Sequence, residues 1–291
     1  MAQARAQETG AAASHGRFVW YELMTTDIMA AMAFYTKVVG WGAWDASMPG
    51  RRYILFSNGP AAVAGLMNLS EEARAHGVKP GWIGYVGVDD VDATAERVAR
   101  LGGAVHAPPI DIADTSRFAI VADPQTTRLA LFKWLKPAQE QPADPDALGR
   151  VGWNELFAAD WEAAFAFYRE VFGWQKQETE VDATGTYQLF SAGGRTIGGM
   201  RTKPAVAPEP FWLFYFNVGD VDAAMKRVTA GGGQVVHDPM EVRDGRWIAQ
   251  CMDPQGALFA LQGKRRPGAV GYFERAAPAD AAGPGGKKRS W

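Results

Sequence analysis

At 291 residues the chain is long enough for two ordinary domains and long for one. Its net charge of −2 lacks the basic excess of a nucleic-acid binder, and no apolar run approaches the ~20 residues of a membrane helix. A single cysteine, Cys251, excludes an intrachain disulfide and suits a reducing compartment; with an Ala- and Gln-rich start that lacks an apolar core, it sets the expectation of a cytoplasmic protein.

In chain order, residues 1–15 read as a tail without structure. Residues 18–24 alternate and are rich in aromatics, which predicts a strand. Thr25, Thr26 and Asp27 then offer N-cap oxygens to a helix whose apolar face is Ile28, Ala31, Phe34, Tyr35 and Val38. Gly40 stands where a left-handed cap is wanted. Short strands are predicted near 41–46, 52–57 and 62–67, punctuated by Gly, Pro and Asn. The pattern then restarts: a strand at 82–88, a helix capped by Asp90 with Val91, Ala95, Val98 and Leu101 on one face, and strands near 104–107, 118–122 and 129–134.

After Pro137, Pro142 and Pro145 the whole series returns. Phe18 to Leu23 has its counterpart 133 positions on, ending in Trp153, Asn154, Glu155 and Leu156. Asp27, Phe34, Tyr35, Gly40 and Trp41 match Asp160, Phe167, Tyr168, Gly173 and Trp174 at the same offset. Tyr53, Phe56 and Gly65 match Tyr187, Phe190 and Gly199; Trp82, Tyr85 and Asp123-Pro124-Gln125 match Trp212, Tyr215 and Asp253-Pro254-Gln255. So many identities in order establish a tandem duplication. We read an α+β chain with one domain at 16–134, a linker at 135–148, a second domain at 149–263 and a tail at 264–291. Each domain is itself two βαβββ modules. Helices covering one face of each sheet leave the other face concave, and a concave apolar face with a few polar groups is the default ligand site.

The passages Ala33-Phe34-Tyr35-Thr36-Lys37-Val38-Val39-Gly40-Trp41 and Ala166-Phe167-Tyr168-Arg169-Glu170-Val171-Phe172-Gly173-Trp174 resemble the vicinal oxygen chelate superfamily, the group of glyoxalases, bleomycin-resistance proteins and extradiol dioxygenases. The Asp-Pro-Gln segments at 123–132 and 253–262 share the resemblance. It implies tandem glyoxalase-like domains, each a U-shaped half-barrel, and a divalent metal held by His, Glu or Gln on the first strand, on the strand opening the second module and on the last strand. Those positions fall at Trp20 and Trp153, at Trp82 or Ile83 and Trp212 or Leu213, and at Ala130 and Ala260. None is a metal donor, so no cofactor is predicted, and a divalent ion is conceivable only on other residues such as His106 or His237.

The expectation is a protein that binds a small aromatic or planar molecule without the family metal, as a monomer or homodimer, with no nucleic-acid or membrane partner. The alternative is an isomerase, lyase or hydroxylase-like enzyme using a pocket glutamate or a non-standard metal. Glu22 and Glu155, each two residues beyond a Trp on the first strand, are the acid/base candidates, and a structural hydrogen bond is the competing reading. Ligand contacts are expected from Trp20, Tyr53, Trp82, Tyr85 and Arg117 in the first copy, and from Trp153, Tyr187, Trp212, Tyr215, Arg246 and Trp247 in the second. For Arg117 and Arg246, pairing with Asp114 and Asp244 competes with anion binding.

Overall fold

A computed structural model describes residues 14–113, 115–136, 144–182, 184–242 and 245–265. The first sheet is built from β1 (Phe18–Thr25), β2 (Gly42–Asp45), β3 (Tyr53–Asn58), β4 (Ala61–Asn68), β5 (Gly81–Gly87), β6 (Ala104–Ile112), β7 (Ser116–Ala122) and β8 (Arg128–Trp134), in the order β2-β3-β4-β1-β5-β8-β7-β6. The second repeats that order with β9 (Val151–Ala158), β10 (Gln175–Asp182), β11 (Gly185–Ala192), β12 (Arg195–Thr202), β13 (Phe211–Val218), β14 (Gln234–Glu241), β15 (Trp247–Met252) and β16 (Leu258–Gly263). In each sheet the two modules join through one antiparallel pairing, β1 with β5 and β9 with β13. Parallel pairings, such as β1 with β4 and β5 with β8, close each module.

The helices are α1 (Ile28–Val38), α2 (Glu71–Ala75), α3 (Val91–Arg100), α4 (Trp161–Phe172) and α5 (Val221–Ala230). Asp27, Asp90, Asp160 and Asp220 cap the four long ones by accepting a backbone N–H of the first turn. The short α2, capped by Ser70, has no apolar periodicity and was not expected. β6 also runs five residues past the expected end, through Pro108 and Pro109. Proline suits an edge strand, and the β6–β7 ladder shifts register between Ala107 and Ile110.

The helix-side faces of the two sheets merge into one core. Leu23, Phe56 and Val86 of the first domain belong to the same buried cluster as Leu156, Phe190 and Phe216 of the second. α1 packs on α5, and α3 on α4. At the centre Phe18 and Tyr21 meet Phe214 edge-on, with centroids 5.9 and 5.1 Å apart. A Cβ on Gly84 would stand 2.7 Å from Phe18 and 2.9 Å from Phe214, so the approach of the sheets requires glycine there. Polar bonds cross the interface in matched pairs. Tyr35 donates to Asp253 (3.1 Å) and Tyr168 to Asp123 (2.9 Å); the Trp41 indole donates to the Gly149 carbonyl (2.7 Å) and Trp174 to Gly16 (2.6 Å). The domains therefore sit back to back about a pseudo-two-fold axis, and their concave faces turn outward.

Asp123 and Asp253 also organise the turn before the last strand, accepting the backbone N–H of Thr127 and Ala257. Within those turns Gly256 has φ +96°, whereas its counterpart Thr126 sits at +74°, a left-handed conformation that a β-branched residue adopts at a cost of about 1–2 kcal/mol. Thr126→Gly is expected to raise stability by about 1 kcal/mol, read as a higher urea midpoint with an unchanged slope.

Of the expected linker, residues 137–143 lie outside the described residues; Pro145 and Ala147 give their carbonyls to the Asn217 amide at 2.6 and 3.0 Å. Most of the two expected tails also lies outside the described residues. His15 bridges to Gly87, and Arg265 pairs with Asp222 at 2.8 Å.

Candidate functional site

Period-2 alternation sends Trp20, Glu22 and Met24 of β1 to the concave face, while Tyr21 and Leu23 enter the shared core. The cup floor is Ile83, Tyr85, Ala130 and Phe132, walled by Trp20, Phe118, Ile120 and Trp134. Glu22 lies in this apolar floor and is 5% exposed. Tyr53 on β3 donates to its Oε2 at 2.8 Å. Gly65, opposite Glu22 in the β1–β4 ladder, permits that bond: a Cβ there would stand 2.1 Å from the Tyr53 hydroxyl and 2.9 Å from Glu22 Oε2. Burial pushes the Glu22 carboxyl above the usual carboxylate range. The Tyr53 bond, the charge of Arg51 and the nearby Tyr85 and Trp20 pull it partly back. Arg51 itself stands 5.5 Å from the Tyr53 ring centroid and makes no ion pair with Glu22 among the described residues.

The second cup repeats the frame with different chemistry. Leu213, Tyr215 and Ala260 form its floor with Trp153, Phe157, Phe211 and Ile248. Glu155, 7% exposed, accepts a short hydrogen bond from Tyr215 and lies 3.8 Å from the Nε of Arg201. The Arg201 guanidinium covers the Tyr187 ring at 4.7 Å and donates to Thr184 at 2.5 Å. Trp153 donates to the Tyr187 hydroxyl at 2.7 Å. Gly199 plays the part of Gly65, since a Cβ there would meet the Tyr187 ring at 2.3 Å.

The structure thus brings Trp20, Glu22, Tyr53 and Tyr85 together in one cup, and Trp153, Glu155, Tyr187 and Tyr215 in the other. Five expected ligand residues stand elsewhere. Trp82 and Trp212 lie on the strands of Tyr85 and Tyr215 at an odd spacing, so they face the shared core. The Trp82 indole donates to Tyr35 at 2.9 Å, and Trp212 packs on Trp174 and Phe214. Trp247 also faces the core and is covered by Arg265 at 4.6 Å. Arg117 is held by Asp92 and Asp111, each at 2.7 Å. Arg246 lies 3.5 Å from Asp146 of the linker. Their expected partners Asp114 and Asp244 lie outside the described residues. Residues missed from sequence are Trp134, Phe118 and Phe132 in the first cup, and Arg201 and Gln250 in the second. Parity along β7, β8 and β15 would have found all but Arg201, whose counterpart is Met67.

The positions at which the fold family holds a metal were tested on their donor chemistry. On the concave face they carry Trp20, Ile83 and Ala130 in one cup, and Trp153, Leu213 and Ala260 in the other. An indole and two hydrocarbon side chains do not fit a divalent cation. Among the described residues no group of three His, Cys, Asp or Glu side chains is placed to hold one, and His106 and His237 lie exposed on the edge strands β6 and β14. Two open surface depressions lie outside the cups, one at Glu71 and Arg74, the other beside the end of α4 at Phe165, Arg169 and Lys176. Neither contains a buried carboxyl, whereas each cup does. Among the described residues no helix is long and apolar enough to cross a membrane.

Residues 17–131 and 149–261 match the Glyoxalase/Bleomycin resistance protein/Dioxygenase superfamily. The CFP32 protein of Mycobacterium tuberculosis, named provisionally as a glyoxylase, is 34% identical over 244 residues, covering 83% of this chain and 92% of that protein. The anthracycline biosynthesis protein DauV of Streptomyces sp. is 31% identical over 258 residues, covering 84% and 92%. Among solved structures, the Mn(II)-bound glyoxalase from Novosphingobium aromaticivorans superposes with a TM-score of 0.57 at 17% identity, covering 87% of this chain and 83% of that one. With the family matched over both halves and the fold shared, the chain belongs to the glyoxalase, bleomycin-resistance and dioxygenase superfamily as a tandem of two of its domains.

Proposed function

We propose that each cup binds a small planar organic molecule, stacked on the first-strand tryptophan and hydrogen-bonded to the buried glutamate, without the divalent cation of the metal-using relatives. The observation that carries this reading is the pairing of Glu22 with Tyr53, and of Glu155 with Tyr215, on the floor of an otherwise apolar concave face. A buried carboxyl that faces a hollow keeps bonding capacity for a guest, and flanking aromatics favour a flat one. The name of the relative DauV, which places it in the biosynthesis of planar polycyclic anthracyclines, agrees with this guest class.

Titration with 1,8-dihydroxyanthraquinone is expected to quench tryptophan fluorescence saturably. Trp20→Ala and Trp153→Ala are each expected to weaken one of two sites about tenfold, the loss of one stacking partner and its buried area. Unsaturable quenching, or two variants indistinguishable from the parent, would overturn the reading. Protein purified without chelators is expected to carry sub-stoichiometric Zn, Mn, Fe and Ni; a stoichiometric metal would remove the metal-free part.

A second reading, an isomerase, lyase or hydroxylase-like enzyme, draws on one observation: Glu155 is flanked by Tyr215 and Arg201 in the manner of a general base. Glu155→Gln is then expected to abolish any turnover found, and unchanged turnover would discard it.

A further inference from the structure

The two cups were copied from one ancestor and keep the same frame, yet three facing positions exchange apolar for polar residues. Met67 of β4, Ile120 of β7 and Phe132 of β8 become Arg201, Gln250 and Gln262 in the second cup. Strand register places them alike. Met67 and Arg201 pair with Tyr53 and Tyr187, while Ile120 and Gln250 pair with Ala130 and Ala260.

The first exchange changes the state of the glutamate. In the second cup the Arg201 guanidinium reaches Glu155 at 3.8 Å, and Tyr215 donates to the same carboxyl. A cation that close on a low-dielectric floor favours the charged carboxylate strongly. Glu180 is a further charge near this cup and acts on Tyr187. In the first cup the corresponding side chain is a thioether. The guanidinium of Arg51 stands 5.5 Å from the Tyr53 ring centroid, touches Met67 Sδ at 4.0 Å and, among the described residues, makes no ion pair with Glu22. The groups facing Glu22 are otherwise the neutral Tyr53, Tyr85 and Trp20, and burial disfavours its charged form.

We infer that the cups have diverged in hydrogen-bonding sense: the Glu22 cup presents a carboxylic acid and takes an uncharged planar ligand through a carbonyl oxygen, whereas the Glu155 cup presents a carboxylate and takes a ligand through an acidic hydroxyl, as in a phenol or enol. This rests on the proposed binding role of the cups and assigns each its ligand class. A carbonyl offers no proton, so it needs a donor on the floor, which a protonated carboxyl supplies. A phenol or enol hydroxyl forms its strongest bond with an ionised acceptor.

The test uses two probes on one ring skeleton, 1,4-naphthoquinone and 1-naphthol, titrated at neutral pH against the full chain. One quinone site and one naphthol site are expected. Arg201→Met, which gives the second cup the first cup's residue, is expected to weaken naphthol about tenfold and leave the quinone unchanged. Glu22→Leu is expected to do the reverse, while Glu22→Gln, which keeps an N–H donor, retains the quinone. Equal affinity of both probes for both cups, an unchanged naphthol site in Arg201→Met, or binding of neither probe overturns the inference. A ligand-free readout separates its failure from that of the binding role. In parent-minus-variant infrared difference spectra the C=O stretch of a protonated carboxyl is expected for Glu22→Gln and not for Glu155→Gln, and the opposite result defeats the inference even if both cups bind.

Discussion

Replacing Tyr35 and Tyr168 together by phenylalanine is expected to lower the unfolding free energy by about 2–6 kcal/mol, a large loss against the roughly 5–15 kcal/mol that an ordinary domain possesses. Each hydroxyl donates across the domain interface to a buried aspartate, Asp253 or Asp123. Burial already pushes both aspartates above the usual carboxylate range, and the backbone bonds that oppose this come from their own turns. Removing the hydroxyl takes the tyrosine donor from Oδ2 of each aspartate, at about 1–3 kcal/mol per site. The two pairs share no partner, so their costs are expected to add. The single variants in a urea series should each give about half of the effect. A double variant no less stable than the parent would mean that the matched Tyr–Asp pairs do not hold the domains together.

Glu22→Gln is expected to change how stability depends on pH, and its sign follows from the direction of the shift. In the unfolded chain Glu22 titrates near the ordinary value of about 4.3. In the folded chain burial raises it. Between the two values the folded state binds the extra proton, so the contribution of Glu22 to stability is fully present below the unfolded value and is lost as pH rises through the folded one. The slope in that window approaches about 1.4 kcal/mol per pH unit. Gln keeps an acceptor for the Tyr53 hydroxyl and does not titrate. The variant is therefore expected to match the parent in acid and to exceed it increasingly as pH rises through the window between the two values. Asp123 and Asp253 titrate in both proteins and cancel in the difference. A difference that shrinks as pH rises would contradict a buried, reluctant carboxyl at Glu22.

The duplication, the βαβββ modules, all four long helices and most of the strands were legible because repeat spacing, N-cap aspartates and apolar periodicity are local signals. Two features of the fold were not. The continuation of β6 through Pro108 and Pro109 depends on its being an edge strand, which only the assembled sheet decides. The recurring Tyr35, Trp41 and Asp123 with their counterparts read as family landmarks, yet their partners lie 45 to 218 residues away in the other domain. At the candidate site the first-strand Trp–Glu pairs were legible by parity. The same parity would have removed Trp82 and Trp212, three residues from Tyr85 and Tyr215 and hence on the opposite face. Arg117 and Trp247 stand at one repeat position, and its side turns to the helices, where Asp92 and Arg265 meet them. Arg201 was hidden because its counterpart, Met67, carries no charge to suggest a site, and its reach to Glu155 depends on the ladder between β12 and β9.

The central claim, that the outward cups are where this protein meets its ligand, is tested most directly by a crystal structure with 1,8-dihydroxyanthraquinone at a concentration that saturates the fluorescence change. The rings are expected to sit on Trp20 or Trp153, with their polar edge at Glu22 or Glu155. A probe found only in the depression beside α4, or along the edge strands, with both cups empty, would contradict it.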